Sequence, residues 1–177
     1  MSESILIVID MQNDFVTGTL GSKEAQAIVP NVLNKVLNHQ GHILFTKDSH
    51  GEEYFKSNEG KNLPIEHCRF GTGGWHLVPQ LRNLADETFI VYKTTFGYKD
   101  WDHEVWKNLF NEVDTIHLCG VCTDICVISN ALILKAMYPE HRIIVDASCC
   151  AGVTPEKHKA ALEVMKSCQI EVENEEG

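Results

Sequence analysis

The sequence predicts a single α/β domain with a six-stranded, mostly parallel sheet and helices on both faces, and three observations support this. Short apolar runs rich in β-branched residues alternate with longer amphipathic stretches, a pattern typical of strands joined by helices. The short runs lack polar alternation, which is typical of strands that are buried on both faces of a parallel sheet. The length of 177 residues suits one domain, so we expect residues 1–177 to form one unit.

Five apolar runs predict buried strands, and a shorter sixth run predicts one more. Each has the length and the β-branched content of a buried strand rather than of a helix. We expect these strands at residues 5–9, 43–46, 88–92, 115–119, 142–145 and 170–172. Parallel strands in one sheet are joined by right-handed crossovers, so the connections between them should be helical.

Four amphipathic stretches between these runs predict helices, because their apolar residues recur at spacings of three and four. They cover residues 29–37, 104–110, 124–137 and 155–166. Pro30 would lie in the first turn of the first helix, and Thr154 followed by Pro155 is a typical helix start. Residues 48–74 form the longest irregular stretch, and a loop of that length in a compact domain usually carries function.

The composition argues against two classes of protein. A formal net charge of −10 disfavours nucleic-acid binding, which needs a basic face. No segment has the roughly 20 apolar residues of a membrane span, and residues 1–4 lack the features of a secretory signal. The seven cysteines are an odd number in largely apolar contexts, which indicates free thiols. We therefore expect a cytoplasmic protein with neither a nucleic-acid nor a membrane partner.

Side chains that could take part in catalysis or bind a metal follow four of the predicted strands. Asp10 follows the first strand, Asp48 and His50 follow the second, and Lys93 follows the third. Residues 120–126, which contain two cysteines, follow the fourth strand and lead into a helix. In sheets of this type, ligands bind outside the carboxyl ends of the strands. We therefore expect these side chains to share one crevice.

Cys126 is the candidate nucleophile, because it falls in the first turn of a predicted helix behind a cap at Thr123 or Asp124. A helix N-terminus stabilises a thiolate and would lower the thiol pKa, and its free N–H groups could hold an oxyanion. Asp10 could accept the thiol proton and return it to a leaving amine. A buried Lys93 would hold both anions in place. Taken singly, each of these residue types is more often structural than catalytic, so the interpretation depends on their joint placement.

A second group of residue types is typical of metal ligands. Asp48 and His50 lie on the same side of an extended segment, and Glu59 and His67 follow in the same loop. Carboxylate and imidazole ligands suit zinc, which we expect first, and also iron or manganese. The alternative is a chance Asp-x-His among nine histidines.

Two motifs resemble those of the isochorismatase-like cysteine hydrolases. Residues 7–15, IVIDMQNDF, are similar to the opening motif of that family, and residues 120–127, GVCTDICV, are similar to its nucleophile motif. Asp48, His50 and His67 resemble the metal loop of its nicotinamidase branch, and the resemblance covers essentially the whole chain. It implies a catalytic triad of Asp10, Lys93 and Cys126, and metal ligands at Asp48, His50, His67 and, in some members, Glu59.

The resemblance also implies how the reaction would run. A cis peptide bond would join Val121 to Cys122, and the backbone N–H groups of Cys122 and Cys126 would form the oxyanion hole. Phe15 would pack against the substrate ring. The family's amidases act through a thioester, which for nicotinamide would release ammonia and then nicotinate, a reaction of NAD salvage. Relatives often assemble as dimers or tetramers, so the resemblance also implies a homo-oligomer.

One feature departs from the nicotinamidase pattern. Those enzymes carry an aromatic residue shortly before the last metal histidine, whereas residues 63–66 here are Leu-Pro-Ile-Glu. Phe96 or Trp75 could supply the missing wall of the ring pocket. Family members with related triads hydrolyse ureido or carbamoyl compounds, and that substrate class is the alternative.

Two other classes of protein compete with the hydrolase interpretation. Cys119 and Cys122 form a CxxC, which is found in redox proteins, but Cys119 falls within a strand rather than at a helix start. A non-catalytic binding protein would explain the fold but not the residue types at the strand ends. Cys149 and Cys150 are expected in the wall behind the site, and Ser129 and Asn130 are assigned to packing or solvent.

Overall fold

A computed structural model of the protein describes residues 4–175, and it contains one six-stranded parallel sheet. The order of strands across the sheet is β3-β2-β1-β4-β5-β6, and every neighbouring pair is parallel. The strands are β1 (Ser4–Ile9), β2 (Gly41–Asp48), β3 (Ile90–Lys93), β4 (Thr115–Val121), β5 (Arg142–Ala151) and β6 (Glu171–Glu173). The predicted α/β class with a six-stranded parallel sheet is confirmed.

Seven helices accompany the sheet in the described part of the chain. They are α1 (Asn13–Val16), α2 (Lys23–Asn38), α3 (Asn58–Asn62), α4 (Pro79–Arg82), α5 (Glu104–Asn111), α6 (Ile128–Met137) and α7 (Pro155–Ser167). A π-helical turn, Thr123–Val127, leads directly into α6. The predicted start of α7 is confirmed, because the Thr154 side chain accepts a hydrogen bond from the Lys157 N–H and Pro155 follows it.

The strand order creates a crevice at the middle of the sheet. The chain runs outward in one direction from β1 to β3 and in the other from β4 to β6. With right-handed crossovers, α2 therefore lies on one face, and α6 and α7 lie on the other. The direction reverses between β1 and β4, and ligands of such folds bind at this reversal, beside the carboxyl ends of the strands.

The central strand explains the unbroken apolar run near the N-terminus. Residues Ile5 to Ile9 of β1 have no solvent exposure, since β2 and β4 flank them and helices cover them. Burying an aliphatic side chain of this size stabilises a fold by roughly 1.5–3 kcal/mol. The run therefore anchors the domain and fixes the position of Asp10, the residue that follows it.

Several element boundaries differ from the sequence prediction. The strand predicted at 88–92 begins only at Ile90, because the Asp86 side chain accepts hydrogen bonds from the N–H and hydroxyl of Thr88 and holds a 3₁₀ turn there. Helix α2 begins six residues before the predicted start of 29, since Ser22 caps it through the Ala25 N–H. Pro30 accordingly lies inside that helix rather than in its first turn.

Strand β5 is longer than predicted and continues to Ala151, so Cys149 and Cys150 are strand residues. The predicted loop after β2 contains a 3₁₀ turn at Tyr54–Lys56 and the short helix α3. Across residues 4–175, the helices are all too short or too polar to pass through a lipid bilayer. The first three residues, on which part of the secretory-signal prediction rests, lie outside the described range.

Candidate active site

Three side chains that are distant in sequence meet at the carboxyl edge of the sheet. The Lys93 Nζ lies 2.6 Å from Asp10 Oδ2 and 3.6 Å from the Cys126 Sγ. Asp10 follows β1, Lys93 ends β3, and Cys126 lies in the π turn after β4, so the parallel topology brings them to one edge. All three are buried, with exposures of 0%, 3% and 5% in chain order. This is the shared crevice that the sequence predicts.

Asp10 is held in place by a residue that the sequence analysis did not single out. Thr46, on the adjacent strand β2, donates its hydroxyl hydrogen to Asp10 Oδ1 at 2.6 Å and accepts from the Asp10 N–H at 3.1 Å. Burial raises the pKa of the Asp10 carboxyl above its ordinary value, although the charge of Lys93 opposes the rise. A carboxyl with a raised pKa is a stronger proton acceptor than an ordinary one, which suits a general base.

Lys93 connects the triad to the neighbouring acidic group. Its Nζ also lies 3.5 Å from Asp48 Oδ1, since β2 and β3 pair in a register that sets Asp48 opposite Lys93, and it donates to the Thr95 carbonyl at 3.1 Å. Burial would lower the pKa of Lys93, but Asp10, Cys126 and Asp48 outweigh that effect and raise it above its ordinary value. The side chain is therefore an ammonium ion, and it does not serve as the base.

The turn that carries Cys126 differs in detail from the prediction. Neither proposed cap closes it: Thr123 bonds through its hydroxyl to His158 Nδ1 at 2.7 Å, and Asp124 Oδ1 accepts from the Val153 N–H at 2.9 Å. The carbonyl of Cys122 instead accepts from the N–H groups of Ile125 and Val127, which lie on either side of Cys126. Turns of this π type recur at functional sites. The peptide bond between Val121 and Cys122 is cis, as the family resemblance implies.

The expected lowering of the Cys126 pKa is wrong. Burial raises the pKa of the thiol well above its ordinary value, the Asp10 carboxylate raises it further, and Lys93 opposes both. The prediction rested on the helix N-terminus and left out the burial of the thiol, which disfavours the charged thiolate. The resting thiol is therefore protonated, and any nucleophilic role requires a base within reach. Asp10 is the carboxyl in that position.

A second cluster lies beside the triad and has the composition of a metal site. Each of Asp48, His50, Glu59 and His67 offers a ligand atom, and these atoms lie within 4.8 Å of one another. His50 Nε2 lies 2.9 Å from Asp48 Oδ2 and 3.6 Å from Glu59 Oε1, and His67 Nε2 lies 3.6 and 3.8 Å from the same two atoms. Two carboxylates and two imidazoles that converge in this way fit a divalent cation such as zinc.

The electrostatics of this cluster favour a cation. Burial would raise the pKa of Asp48, but hydrogen bonds from His50 and His67 and the charge of Lys93 hold it below its ordinary value. Burial and the charge of Asp48 raise the pKa of Glu59. Two carboxylates that repel each other in a largely buried site are stabilised by a positive ion between them.

Several hydrogen bonds orient the cluster in advance. The Nδ1 of His67 lies 2.9 Å from the Ile65 carbonyl, which leaves Nε2 facing the other ligands. Gln12 is fully buried, donates to the Asp48 carbonyl at 2.8 Å and accepts from the Asp48 N–H at 2.8 Å. Asp14 accepts from the Cys68 N–H, next to His67, at 2.7 Å. The opening motif thus positions the metal loop as well as the triad.

A cavity of about 330 Å³ opens beside the triad and the metal cluster. Phe15 and Phe96, the two predicted substrate-binding residues, both line it. Trp75 does not line the cavity. The centroid of its ring lies 2.9 Å from the Lys47 Nζ, and the ring stacks on Tyr92. The suggestion that Trp75 supplies the second wall of the ring pocket is therefore wrong. The remaining lining residues are mainly small or aliphatic, and they include Leu20, Ala25, Leu63, Ile125, Ala151 and Val153.

Asn130 connects the Cys126 helix to the Phe96 loop, although the sequence analysis assigned it to packing or solvent. It is fully buried, and its Oδ1 accepts from the Tyr98 N–H at 2.9 Å and from the Trp101 indole N–H at 3.0 Å. Its Nδ2 donates to the carbonyls of Cys126 at 2.8 Å and Phe96 at 3.2 Å. One amide therefore fixes the pocket wall relative to the candidate nucleophile.

We expect Asn130→Ala to lower the free energy of unfolding by about 3 kcal/mol, because it leaves the buried Trp101 indole N–H and the partly buried Tyr98 N–H without their acceptor. Urea denaturation of both proteins measures the difference. Asn38→Ala is the control, because Asn38 is exposed at the end of α2, and its removal should cost less than about 0.5 kcal/mol. Equal losses in the two variants would contradict a network role for Asn130.

Cys119 and Cys122, the two cysteines of the CxxC, lack the features of a dithiol redox site. Cys119 is buried inside β4, and burial raises the pKa of its thiol well above the ordinary value. Burial raises the pKa of Cys122 to about 12. All seven thiols are free. A dithiol redox site needs a thiol with a lowered pKa at a helix start, and the CxxC does not supply one.

Comparison with known proteins gives likenesses that extend over nearly the whole chain. Residues 4–176 match the model of the Isochorismatase domain. The chain is 30% identical over 185 residues to the nicotinamidase/pyrazinamidase of Mycobacterium tuberculosis, a match that covers 94% of this chain and 96% of that protein. It is also 30% identical over 178 residues to a probable inactive nicotinamidase of Arabidopsis thaliana, covering 93% and 89%. The crystal structure of the Pyrococcus horikoshii pyrazinamidase in complex with zinc is 28% identical, with a TM-score of 0.79 and coverage of 96% and 98%.

Proposed function

This chain belongs to the isochorismatase family, and we propose that it is a cysteine amidohydrolase that cleaves a small carboxamide through a thioester. Nicotinamide is the proposed substrate, which would be converted to nicotinate and ammonia in NAD salvage. The observation that carries the proposal is the Lys93 ammonium between the Asp10 carboxylate, at 2.6 Å, and the Cys126 thiol, at 3.6 Å. The likeness to a nicotinamidase/pyrazinamidase over 94% of the chain supports the choice of substrate.

Asp10 acts as the base in the first half of the proposed reaction. It takes the proton of the Cys126 thiol, and the sulfur attacks the carboxamide carbon. The backbone N–H groups of Cys122 and Cys126 donate to the oxygen of the tetrahedral intermediate. Its collapse breaks the C–N bond, and the departing nitrogen takes the proton from Asp10 and leaves as ammonia. Cys126 then holds the acyl group as a thioester.

Water completes the proposed cycle. Asp10, again a carboxylate, takes a proton from the water that attacks the thioester carbon. Collapse of this second intermediate breaks the C–S bond and releases the acid. The Cys126 sulfur takes back the proton from Asp10 and is again a thiol. Lys93 stays an ammonium throughout, because its contacts with Asp10 and Asp48 raise its pKa, and its charge favours the thiolate during each transfer.

Asp48, His50 and His67, with Glu59 as a fourth ligand, would hold a divalent cation next to the cavity, and zinc is the proposed ion with iron and manganese as alternatives. Such an ion supplies Lewis-acid charge where a ring nitrogen or a water can bind. Phe15 packs on the His67 ring at 5.6 Å between centroids and borders the cavity, so it can cover one face of a substrate ring.

The free thiols support a location in the reducing cytoplasm, which we propose for this protein. Assembly as a homo-oligomer stays a prediction of the family resemblance.

A panel of amides tests the proposed substrate. We expect ammonia release from nicotinamide and pyrazinamide to exceed that from ureido acids by at least about 100-fold in kcat/KM, since the apolar cavity suits a flat neutral ring. Coupled ammonia detection gives the rates. Activity on ureido acids with none on nicotinamide would reject the substrate. One relative is a probable inactive nicotinamidase. Absence of ammonia release from every amide in the panel would therefore reject the proposal that this protein is an amidohydrolase.

Removal of metal is expected to lower the rate on nicotinamide by at least about tenfold, as the ligand cluster adjoins the cavity. Dialysis against a chelator, followed by metal analysis and an assay, measures the loss, and zinc should restore the rate. His67→Ala should lower the amount of zinc that copurifies, whereas His76→Ala, outside the cluster, should not. Full activity of a metal-free preparation would contradict a catalytic role for the ion.

A further inference from the structure

A smaller cavity, of about 120 Å³, opens beside strands β2 and β3, and none of the described residues that line it also lines the cavity beside the triad. Three basic side chains border it, namely Lys47, Arg82 and His76. Glu87 is the one acidic residue in the described part of the lining, and its Oε2 accepts a hydrogen bond from the Tyr92 hydroxyl at 3.2 Å. The lining therefore carries more positive than negative charge, although the formal net charge of the chain is −10.

Lys47 is a buried cation without a counter-charge in the structure. Its residue is only 4% exposed, and its Nζ lies 2.9 Å from the centroid of the Trp75 ring and 5.7 Å from that of Tyr92, its neighbour on β3. Among the residues that the structure describes, none accepts a hydrogen bond from this Nζ or forms an ion pair with it. Aromatic faces compensate part of the lost hydration of an ammonium. A buried lysine nevertheless ordinarily has an oxygen as its partner, because an unpaired buried charge is costly.

Arg82 is a second unpaired cation at the same cavity. It is exposed at the end of α4, and within residues 4–175 no carboxylate pairs with its guanidinium. The other two arginines of the chain differ in this respect, since Arg69 and Arg142 both form ion pairs with glutamates. A guanidinium fork and an ammonium at one small cavity are the groups that bind an oxyanion.

We propose that Lys47, Arg82 and His76 bind a phosphate group in this cavity, either as inorganic phosphate or as the end of a larger phosphorylated molecule. The three basic groups come from β2, from α4 and from the loop before α4, so they approach the cavity from different directions. A tetrahedral oxyanion offers oxygens in as many directions, whereas a planar carboxylate has only two. The site is separate from the proposed hydrolysis and does not depend on it.

The size and the charge of the cavity agree with this ligand. A volume of about 120 Å³ is below the range of about 300–1,000 Å³ for sites that enclose a whole small molecule, so the cavity suits a single group. Phosphate oxygens would give Lys47 the acceptors that it lacks, and the Arg82 guanidinium can bind two of them side by side. Charges more than about 8 Å away are largely screened at physiological ionic strength, so the lining counts for more than the net charge of the chain.

Calorimetry with inorganic phosphate at constant ionic strength tests the site. We expect one phosphate to bind the unmodified protein with a dissociation constant of about 1 mM or lower. Lys47→Met should raise this constant at least about tenfold, and Arg82→Gln, at an exposed residue, by about three- to tenfold. Lys107→Gln is the control, because it removes the same charge from an exposed position on α5 that does not line the cavity. Absence of binding, or equal binding by the unmodified protein and Lys47→Met, would overturn the proposal.

Ribose 5-phosphate distinguishes the two sources of the phosphate group. Binding at least as tight as that of inorganic phosphate, and weakened by the same two substitutions, would support a phosphorylated molecule as the ligand. Binding of inorganic phosphate alone would support the free ion.

A metal ion at the cluster of Asp48, His50, Glu59 and His67 could itself bind a phosphate oxygen, so the two positions must be separated. His67→Ala removes one of these candidate ligands and leaves the lining of the smaller cavity unchanged. It should therefore keep the phosphate affinity of the unmodified protein within about twofold. Loss of binding in His67→Ala with retention in Lys47→Met would place the phosphate on the ion and overturn the proposal.

Urea denaturation provides a second measurement on the same variants. Without phosphate, Lys47→Met should unfold at the same or a higher urea concentration than the unmodified protein, because methionine fills a similar volume and removes an unpaired buried charge. Phosphate should raise the midpoint of the unmodified protein and have a smaller effect on Lys47→Met. An equal rise in both would be a general salt effect and would overturn the site. If Lys47→Met does not fold, Arg82→Gln serves for the comparison, and an unchanged phosphate affinity in that variant would also overturn it.

Discussion

Cys126→Ala is expected to abolish ammonia release from nicotinamide, with a loss of at least roughly 10,000-fold in kcat, because removal of a covalent nucleophile leaves only binding and oxyanion stabilisation. Lys93 cannot take over the attack, since it is held as an ammonium by Asp10 and Asp48. Single-turnover assays with enzyme in excess give the residual rate. Intact mass spectrometry of the unmodified protein during turnover should detect the acyl adduct, and the variant should lack it.

The control for this variant is Cys119→Ala, which makes the same change at another buried thiol. Cys119 lies inside β4, and its substitution should keep the rate within about threefold while costing a comparable amount of stability, roughly 1 kcal/mol. The two variants also separate the hydrolase from the redox interpretation. A CxxC mechanism requires Cys119, so loss of activity in Cys119→Ala with retention in Cys126→Ala would contradict the proposed nucleophile.

The positions of the triad residues could be predicted because the topology of a parallel sheet determines where the residues after its strands lie. The carboxyl ends of its strands share one edge, so residues that directly follow strands are brought together whatever their separation in the chain. Asp10 and Lys93 are 83 positions apart, yet each occupies a strand end and their charged atoms lie 2.6 Å apart. The metal cluster followed from the spacing of Asp48 and His50 and from the ligand-type residues Glu59 and His67 in the same loop, and the family resemblance implied the same set.

The supporting residues could not be predicted, since their partners come from distant elements and leave no local pattern. Thr46 looks like any β-branched strand residue, and only the register of β1 against β2 sets its hydroxyl beside Asp10. Asn130 lies in an apolar helix, where its amide was assigned to packing or solvent, and its four partners come from the turn before that helix and from the loop after β3. Hydrogen bonds between distant elements cannot be predicted from the spacing of residues in the sequence.

The prediction of a lowered Cys126 pKa was the largest error, and it has a physical cause. A helix N-terminus stabilises an anion through a partial charge that acts mainly within the first turn. The sequence shows that turn but not the depth at which it is buried, and the loss of hydration at full burial acts in the opposite direction. The correction strengthens the case for Asp10 as base, because a thiol that is protonated at rest depends on it.

Asp10→Asn should therefore have the second-largest effect on activity, a loss of roughly 1,000-fold in kcat, which lies within the range of 10²–10⁴ for removing a general base. The amide keeps an oxygen that can accept from the Thr46 hydroxyl, so the geometry of the site is retained. It cannot take the thiol proton, and it leaves the buried Lys93 ammonium without its closest counter-charge. The free energy of unfolding should fall by about 3 kcal/mol for that reason.

A loss of stability alone could lower the rate, and the chain offers a matched control. Lys35 and Asp146 form an ion pair with the same 2.6 Å separation, remote from Cys126, in which Glu173 also contacts the lysine. Asp146→Asn should lower the free energy of unfolding by about 1–2 kcal/mol, since Glu173 still compensates Lys35, and should leave kcat within about twofold. Circular dichroism at the assay temperature verifies that both variants are folded. If both substitutions reduced kcat to the same extent, Asp10 would have a structural role rather than a role in proton transfer. If only Asp10→Asn reduced kcat, the Asp10 carboxylate would be the group that transfers the proton.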